Sequence, residues 1–139
     1  MSYKILSKFI KDISFEIPTI QAYSMLEKEI PNYSLNFDIK SKPYKNQIVE
    51  IITILKITPN ENVKHKVLTE ITCSALVSIE NKNENRDELE KIILVKVPTE
   101  IYPALHETFH YLFKQAGVNN IEIAKKVDFE KLYNERKNS

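Results

Sequence analysis

The sharpest chemical motif in the chain is His106-Glu107-Thr108-Phe109-His110, which reads H-E-x-x-H. On an α-helix, residues i and i+4 share a face. Both imidazoles could then grip one Zn²⁺ while Glu107 activates a water, the arrangement of a metallopeptidase. The flanking Ala104, Leu105, Thr108, Phe109 and Tyr111 are uncharged, as a peptidase helix requires. A catalytic zinc also needs a third protein ligand. Glu122, Glu130 and Glu135 downstream and His65 upstream are the available donors, and none has a recognisable motif around it. Pro103 lies only three residues before His106 and is expected to start the helix late. The reading preferred here makes His106 and His110 two polar residues on an oligomer-facing helix, with no metal bound.

Other reactive groups are sparse. Gly117 is the only glycine, so there is no glycine-rich phosphate loop. The Ser, His and Asp residues lack any nucleophile-elbow context. Cys73 is the single cysteine, which excludes an internal disulfide and points to a reducing, cytoplasmic compartment. It has no positive neighbour in sequence to lower its pKa and is expected to be a small buried hydrophobe.

The element that carries the histidines is a helix from Pro98 to Ala116, closed by Gly117 where a C-cap needs φ > 0. Ile101, Leu105, Phe109, Leu112 and Ala116 form one apolar stripe, widened by Tyr102 and Phe113. A helix apolar over so much of its circumference is expected to be buried on two sides.

Upstream, the pattern changes to period two. Tyr3 to Ile17 alternates, with Phe9, Ile13, Phe15 and Ile17 on one face and Asp12, Ser14 and Glu16 on the other. Thr19 to Glu29 reads as either a loop or one or two helical turns. Tyr33, Leu35, Phe37 and Ile39 mark a second strand, and Ser41 to Lys45 a turn or crossover. Ile48 to Thr58 is β-branched and apolar on both faces, so it is expected to be central. Pro59 to Asn62 is a turn. Val63 to Ile79 alternates for long enough that a bend or bulge is expected in it. On its even face Leu68 stands among Lys64, Lys66 and Glu70, either a lone exposed leucine or a contact point for a partner.

Asp87 is then expected to cap a short helix from Leu89 to Val97, with Glu90 as its capping-box partner, ending before Pro98. Ile121-Glu122-Ile123 reads as a short extended piece. Asp128 opens a last helix, with Val127 stapling onto Leu132, and Asn134 to Ser139 should fray. Strands followed by helices indicate one α+β domain over residues 1–139, an antiparallel sheet of four strands with helices on one face.

The totals fit a soluble globular domain: 139 residues, 42% hydrophobic, with a mean hydropathy of −0.33. A net charge of +1 from 20 basic and 19 acidic side chains gives no electrostatic case for nucleic acid as the main ligand. No apolar run approaches the roughly 20 residues of a membrane span, and Met1 to Phe9 lacks the apolar core of a secretory signal.

Lys11-Asp12-Ile13-Ser14-Phe15-Glu16, followed by Ile17-Pro18, resembles the first strand of the SecB family of bacterial protein-export chaperones. Pro31 to Ile79 follows that family's strand pattern. Pro98, Ile101-Tyr102-Pro103 and Glu107 resemble the opening of its long helix, and Val127 to Tyr133 its closing segment. The resemblance implies a SecB-like fold, no enzymatic activity and no cofactor. It implies dimers that pair into a tetramer with the long helices between sheets. It further implies an ATP-independent holdase that binds unfolded preproteins in apolar grooves and hands them to the translocase ATPase SecA. By matching position, SecA would dock on Asp12, Glu16, Leu68 and Glu70, and clients would bind at Tyr33, Leu35 and Phe37.

The chain departs from the pattern in four ways. It is near neutral where relatives are acidic. It reads Glu135-Arg136-Lys137-Asn138-Ser139 in place of an acidic tail. Ser74-Ala75 stands where a Gly-Gly pair is expected, and the segment before Pro98 is rich in Ile and Lys. A SecB-like chaperone dedicated to an antitoxin or another single client is therefore the alternative within the family.

Overall fold

The computed structural model describes residues 1–119, 121 and 123–138. Four antiparallel strands form one sheet in the order β1-β4-β3-β2, with β1 Tyr3–Glu16, β2 Tyr33–Lys45, β3 Ile48–Pro59 and β4 Leu68–Ile79. The β-branched β3 is central, as its sequence requires. Helix α1, Ile20–Glu29, follows β1, so a helix interrupts the run of strands. Thr19 starts it: the Thr19 hydroxyl accepts from the Ala22 N–H at 3.1 Å.

Three boundaries differ from the sequence reading, each for a local reason. β2 continues through Ser41–Lys45, and the chain reverses only at Asn46, whose φ of 50° a short polar side chain tolerates. β4 begins at Leu68, not Val63. Val63 and Val67 are buried in the loop before it, and the Val67 N–H donates to the Tyr33 hydroxyl at 3.0 Å instead of to a strand. The irregularity expected in β4 lies in β1, whose pairing with β4 slips between Ile5 and Ser7 and again between Ile10 and Asp12. Between the slips, Phe9 opposes Ser74 on the outer face while Lys8 and Ile10 oppose Ala75 and Cys73 on the inner one. Phe9 is thus exposed, and does not share a face with Ile13 and Phe15. Lys11, at the second slip, ties back to β3: its ammonium lies 3.6 Å from the Glu50 carboxylate, which also accepts from the Ser74 hydroxyl at 2.6 Å.

The helical region starts earlier than expected and does not break at Pro98. Asn85, not Asp87, caps it, accepting from the Glu88 N–H. Helix α2, Arg86–Lys91, leads through a π-turn, Ile92–Lys96, into α3, Val97–Gln115. In the π-turn the Val97 N–H reaches back five residues to the Ile92 carbonyl. This wider register makes room for a proline ring that would otherwise clash with the carbonyl four residues before it. Pro103 likewise sits inside α3 rather than at its start, on the exposed side where water can satisfy the carbonyl it leaves unpaired.

Gly117 ends α3 with φ 89°. The Val118 N–H donates to Phe113 C=O and the Gly117 N–H to Lys114 C=O, the two bonds of a Schellman cap. Tyr23 of α1 donates to the Gly117 carbonyl at 3.0 Å, fastening α1 to this corner. Helix α4, Phe129–Lys137, is capped by Asp128 as expected, with the Lys131 N–H as donor. Ile121 and Ile123 belong to no strand, and Glu122 lies outside the described residues.

The core lies between the inner face of the sheet and the helices. Ile51, Leu55, Ile71, Ala75, Val77 and Ile79 of the sheet meet Ile101, Leu105, Phe109 and Phe113 of α3, all essentially inaccessible. The buried stripe turns to Phe113, leaving Leu112 and Ala116 only half-buried. On the opposite side of α3, Tyr111 is 60% exposed.

Candidate functional site

The residues singled out by sequence fall into three places. The first is the outer face of the sheet along β1 and β4. Register places Glu16 opposite Leu68, Ser14 opposite Glu70, and Asp12 opposite Thr72, all on the side away from the helices. Asp12, Glu16, Leu68 and Glu70 are therefore neighbours on one surface. Leu68 is 57% exposed, an apolar side chain across from Glu16 and two residues from Glu70, with Asp12 farther along the same face. Glu70 is partly neutralised by Lys56 of β3, 3.3 Å away. Such a surface offers an apolar contact at one end and negative charge along the rest.

The second place is the inner face of the edge strand β2. Tyr33, Leu35 and Phe37 are half-buried and point toward the helices. Phe37 packs edge-on against Phe129 and Tyr102, with ring centroids 4.9 and 5.8 Å away. Two hollows flank this row. One, about 250 Å³, is walled by Leu35, Phe37 and Ile39 with Leu94, Phe129 and Tyr133. The other, about 320 Å³, is walled by Tyr33 and Leu35 with Ile30, Ile57 and Ile123. Burial pushes the Tyr33 phenol up, partly offset by the bond from Val67 N–H, so Tyr33 is a neutral acceptor here.

The walls from α4 and the π-turn were not marked as site residues by the sequence. Ile39 had a signal, because it continues the period-two row. Phe129 and Tyr133 had one too, as apolar positions of a short helix that is mostly polar. Leu94 had none, because only the π-turn turns it toward β2.

The third place is the H-E-x-x-H segment. The His106 and His110 rings stack within 9° at 5.9 Å, and His106 Nε2 lies 3.3 Å from the Ile123 carbonyl oxygen. Glu107 is exposed. Glu130 and Glu135 lie on α4 and His65 in the loop before β4; among the described residues no three His, Cys, Asp or Glu side chains gather to hold a metal. Glu122 lies outside the described residues. Cys73 is buried on the inner face, where desolvation pushes its thiol up, only partly offset by Lys8. That is the environment of an inert core thiol and not of a nucleophile.

Among the described residues no helix is long and apolar enough to cross a membrane.

Three comparisons set the chain beside known proteins. A provisionally named protein-export protein SecB from Pelagibacter ubique is 41% identical over 137 residues, covering 99% of this chain and 98% of its own length. The protein-export protein SecB of Paraburkholderia phymatum is 25% identical over 134 residues, covering 96% of this chain and 83% of its own. A solved structure of a protein of unknown function from Streptococcus agalactiae aligns over 89% of this chain and 98% of that one. Its identity of 13% and TM-score of 0.43 are too low to carry weight. The family model described as preprotein translocase subunit SecB matches residues 1–139. With an edge-to-edge match and a relative so similar over its whole length, the chain belongs to the SecB family of protein-export chaperones.

Proposed function

We propose that this chain is an ATP-independent holdase that binds unfolded preproteins along the inner edge of β2 and presents them to SecA through the outer face of β1 and β4. The observation that supports this best is the separation of the two surfaces. The aromatic row and its hollows lie on the helix side of the sheet, and the carboxylate-and-leucine patch lies on the other. A bound client and a docked partner would then not compete for space.

The chemistry is differential binding. An unfolded client exposes apolar and aromatic side chains that a native protein hides. Covering them contributes about 25 cal/mol per Å² of apolar area, offset by the entropy of ordering the client. Each hollow takes one or two side chains, so affinity for a long client comes from several modest sites reached by one chain. Self-association as a dimer of dimers would multiply those sites and cover the exposed side of α3 around Tyr111.

The test is native mass by light scattering, alone and with a slowly folding client diluted from denaturant. A mass near four chains that shifts to a stable client complex, with no nucleotide present, is the expected result. A monomer that leaves the client to aggregate would overturn the reading.

A further inference from the structure

His106 and His110 take no part in either surface, yet their geometry has a chemistry of its own. The two rings are one turn apart on α3, parallel within 9°, with centroids 5.9 Å apart. Two imidazoles on one tetrahedral ion, with metal–nitrogen bonds of about 2.0–2.1 Å, have centroids about 5 Å apart. As they stand the two ring planes are parallel and do not meet at one ion position, so chelation requires the exposed His110 to turn its ring until its plane crosses that of His106.

His106 is already held. Tyr102 and Phe109 flank its ring, with centroids 6.1 and 5.0 Å away. Its Nε2 lies 3.3 Å from the Ile123 carbonyl oxygen, a group that only accepts. Nε2 therefore supplies the proton of that bond, which in the uncharged imidazole leaves Nδ1 as the bare nitrogen. One ring nitrogen donating to a backbone carbonyl while the other stays free is the arrangement that orients metal-bound histidines.

We infer that His106 and His110 form a two-histidine chelate for a borderline divalent transition-metal ion, Zn²⁺ or Cu²⁺, on the surface of α3, with water completing its coordination. Imidazole ligands suit this class of ion and not Mg²⁺ or Ca²⁺. Two protein ligands distinguish the site from a peptidase centre, which needs three. Glu107 is one residue from His106 and does not share the face of the pair, so it is not a ligand. Ligation at Nδ1 would polarise the Nε2–H bond and brace Ile123, a wall of the hollow beside Tyr33 and Leu35.

The experiment is calorimetric titration of the full chain with Zn²⁺ alone, paired with electron paramagnetic resonance of bound Cu²⁺. The expected result is one ion per chain and a Cu²⁺ signal with nitrogen coupling from two imidazoles. Losing an outer-shell partner commonly costs about 10- to 100-fold in metal affinity, and His106→Gln or His110→Gln should each cost at least that. His65→Gln should leave binding unchanged. His110 is exposed, so His110→Gln should keep its circular dichroism spectrum and decides the matter even where His106→Gln unfolds. Saturable binding that survives in His110→Gln with its two-imidazole Cu²⁺ signal intact, or none at millimolar metal, would overturn the inference.

Discussion

Glu16 on β1 stands directly across from Leu68, the first residue of β4, on the face of the sheet away from the helices. Each slip in β1 inserts one extra residue and reverses the alternation, so two slips restore it. The segment from Ser7 to Ile10 is turned over, and everything from Asp12 to Glu16 returns to the phase with which the strand began. The acidic residues therefore reach the same face as Leu68 and Glu70 despite the irregularities between them and Tyr3.

The first prediction concerns that patch. Leu68 is exposed, and Glu70 is half-buried with only a solvent-facing ion pair to Lys56, so Leu68→Ser and Glu70→Gln should each shift the free energy of unfolding by less than about 1 kcal/mol. Both should leave suppression of client aggregation intact and weaken docking to SecA, Leu68→Ser the more because it removes an exposed apolar contact set among charges. Denaturant unfolding and sedimentation with SecA measure the two effects separately. Wild-type docking by both variants would remove the patch from the functional account.

The same arithmetic shows what the sequence could and could not reveal. Period two placed Asp12, Glu16, Leu68 and Glu70 together because paired slips cancel at the strand's end, and it misplaced Phe9 because they do not cancel in its middle. No residue type marks the slips. Their anchors, Lys11 on Glu50 and Glu50 on Ser74, are contacts between different strands. Proline was a misleading signal at Pro98. The rule that proline ends a helix assumes an i→i−4 ladder, and the Ile92–Lys96 π-turn replaces that ladder where the ring would clash. The row Tyr33, Leu35, Phe37 was legible as an apolar face. That Phe129 and Leu94 would wall it was not, since both arrive from elements distant in sequence.

Gly117 offers a second test. Its φ of 89° lies where a side chain is strained, and a Cβ built there would sit 3.0 Å from the Tyr23 hydroxyl. Gly117→Ala should destabilise the fold by about 1–2 kcal/mol. Adding Tyr23→Phe relieves the crowding but not the backbone strain, so the double variant should recover only part of the loss, and Tyr23→Phe alone should cost the bond to the Gly117 carbonyl. A double-mutant cycle in urea measures this; full additivity would mean that the hydroxyl and the Cβ do not meet.

Alkaline pH is a third. Burial pushes the Tyr102 phenol up to about 12, and burial with the Glu100 carboxylate beside it does the same to Tyr3. A group whose pKa is higher in the folded state contributes stability that is fully present below its unfolded pKa, about 10 for tyrosine, and is lost as pH rises toward the folded value. Unfolding free energy should therefore fall between pH 10 and about 12. Tyr102→Phe removes the buried phenol together with its bond to the Ala124 carbonyl, so it should be less stable at neutral pH yet show a shallower alkaline slope. A slope unchanged by Tyr102→Phe would show that other groups govern the alkaline limb.

The fourth prediction separates client binding from folding on β2. Replacing Tyr33, Leu35 and Phe37 together with alanine should weaken client binding, but the structure gives each a second duty. The Tyr33 hydroxyl is the acceptor for the Val67 N–H, and Phe37 is packed on Phe129 and Tyr102. Phe37→Ala alone should cost about 1–3 kcal/mol, less than a fully buried ring because one side of Phe37 faces the hollow. Leu35 borders both hollows and is half-buried, and neither the acceptor bond nor the ring contacts depend on it, so Leu35→Ser is the cleaner probe. It should lower client affinity several-fold while native mass and circular dichroism stay unchanged. Tyr33→Phe keeps the apolar surface and removes only the acceptor, so it should lower stability by about 1 kcal/mol and leave client affinity unchanged. Aggregation suppression measured beside urea unfolding gives both numbers for each variant. If the triple variant still folds and still prevents aggregation, clients bind elsewhere, and the apolar row on β2 serves only to seat α3 and α4.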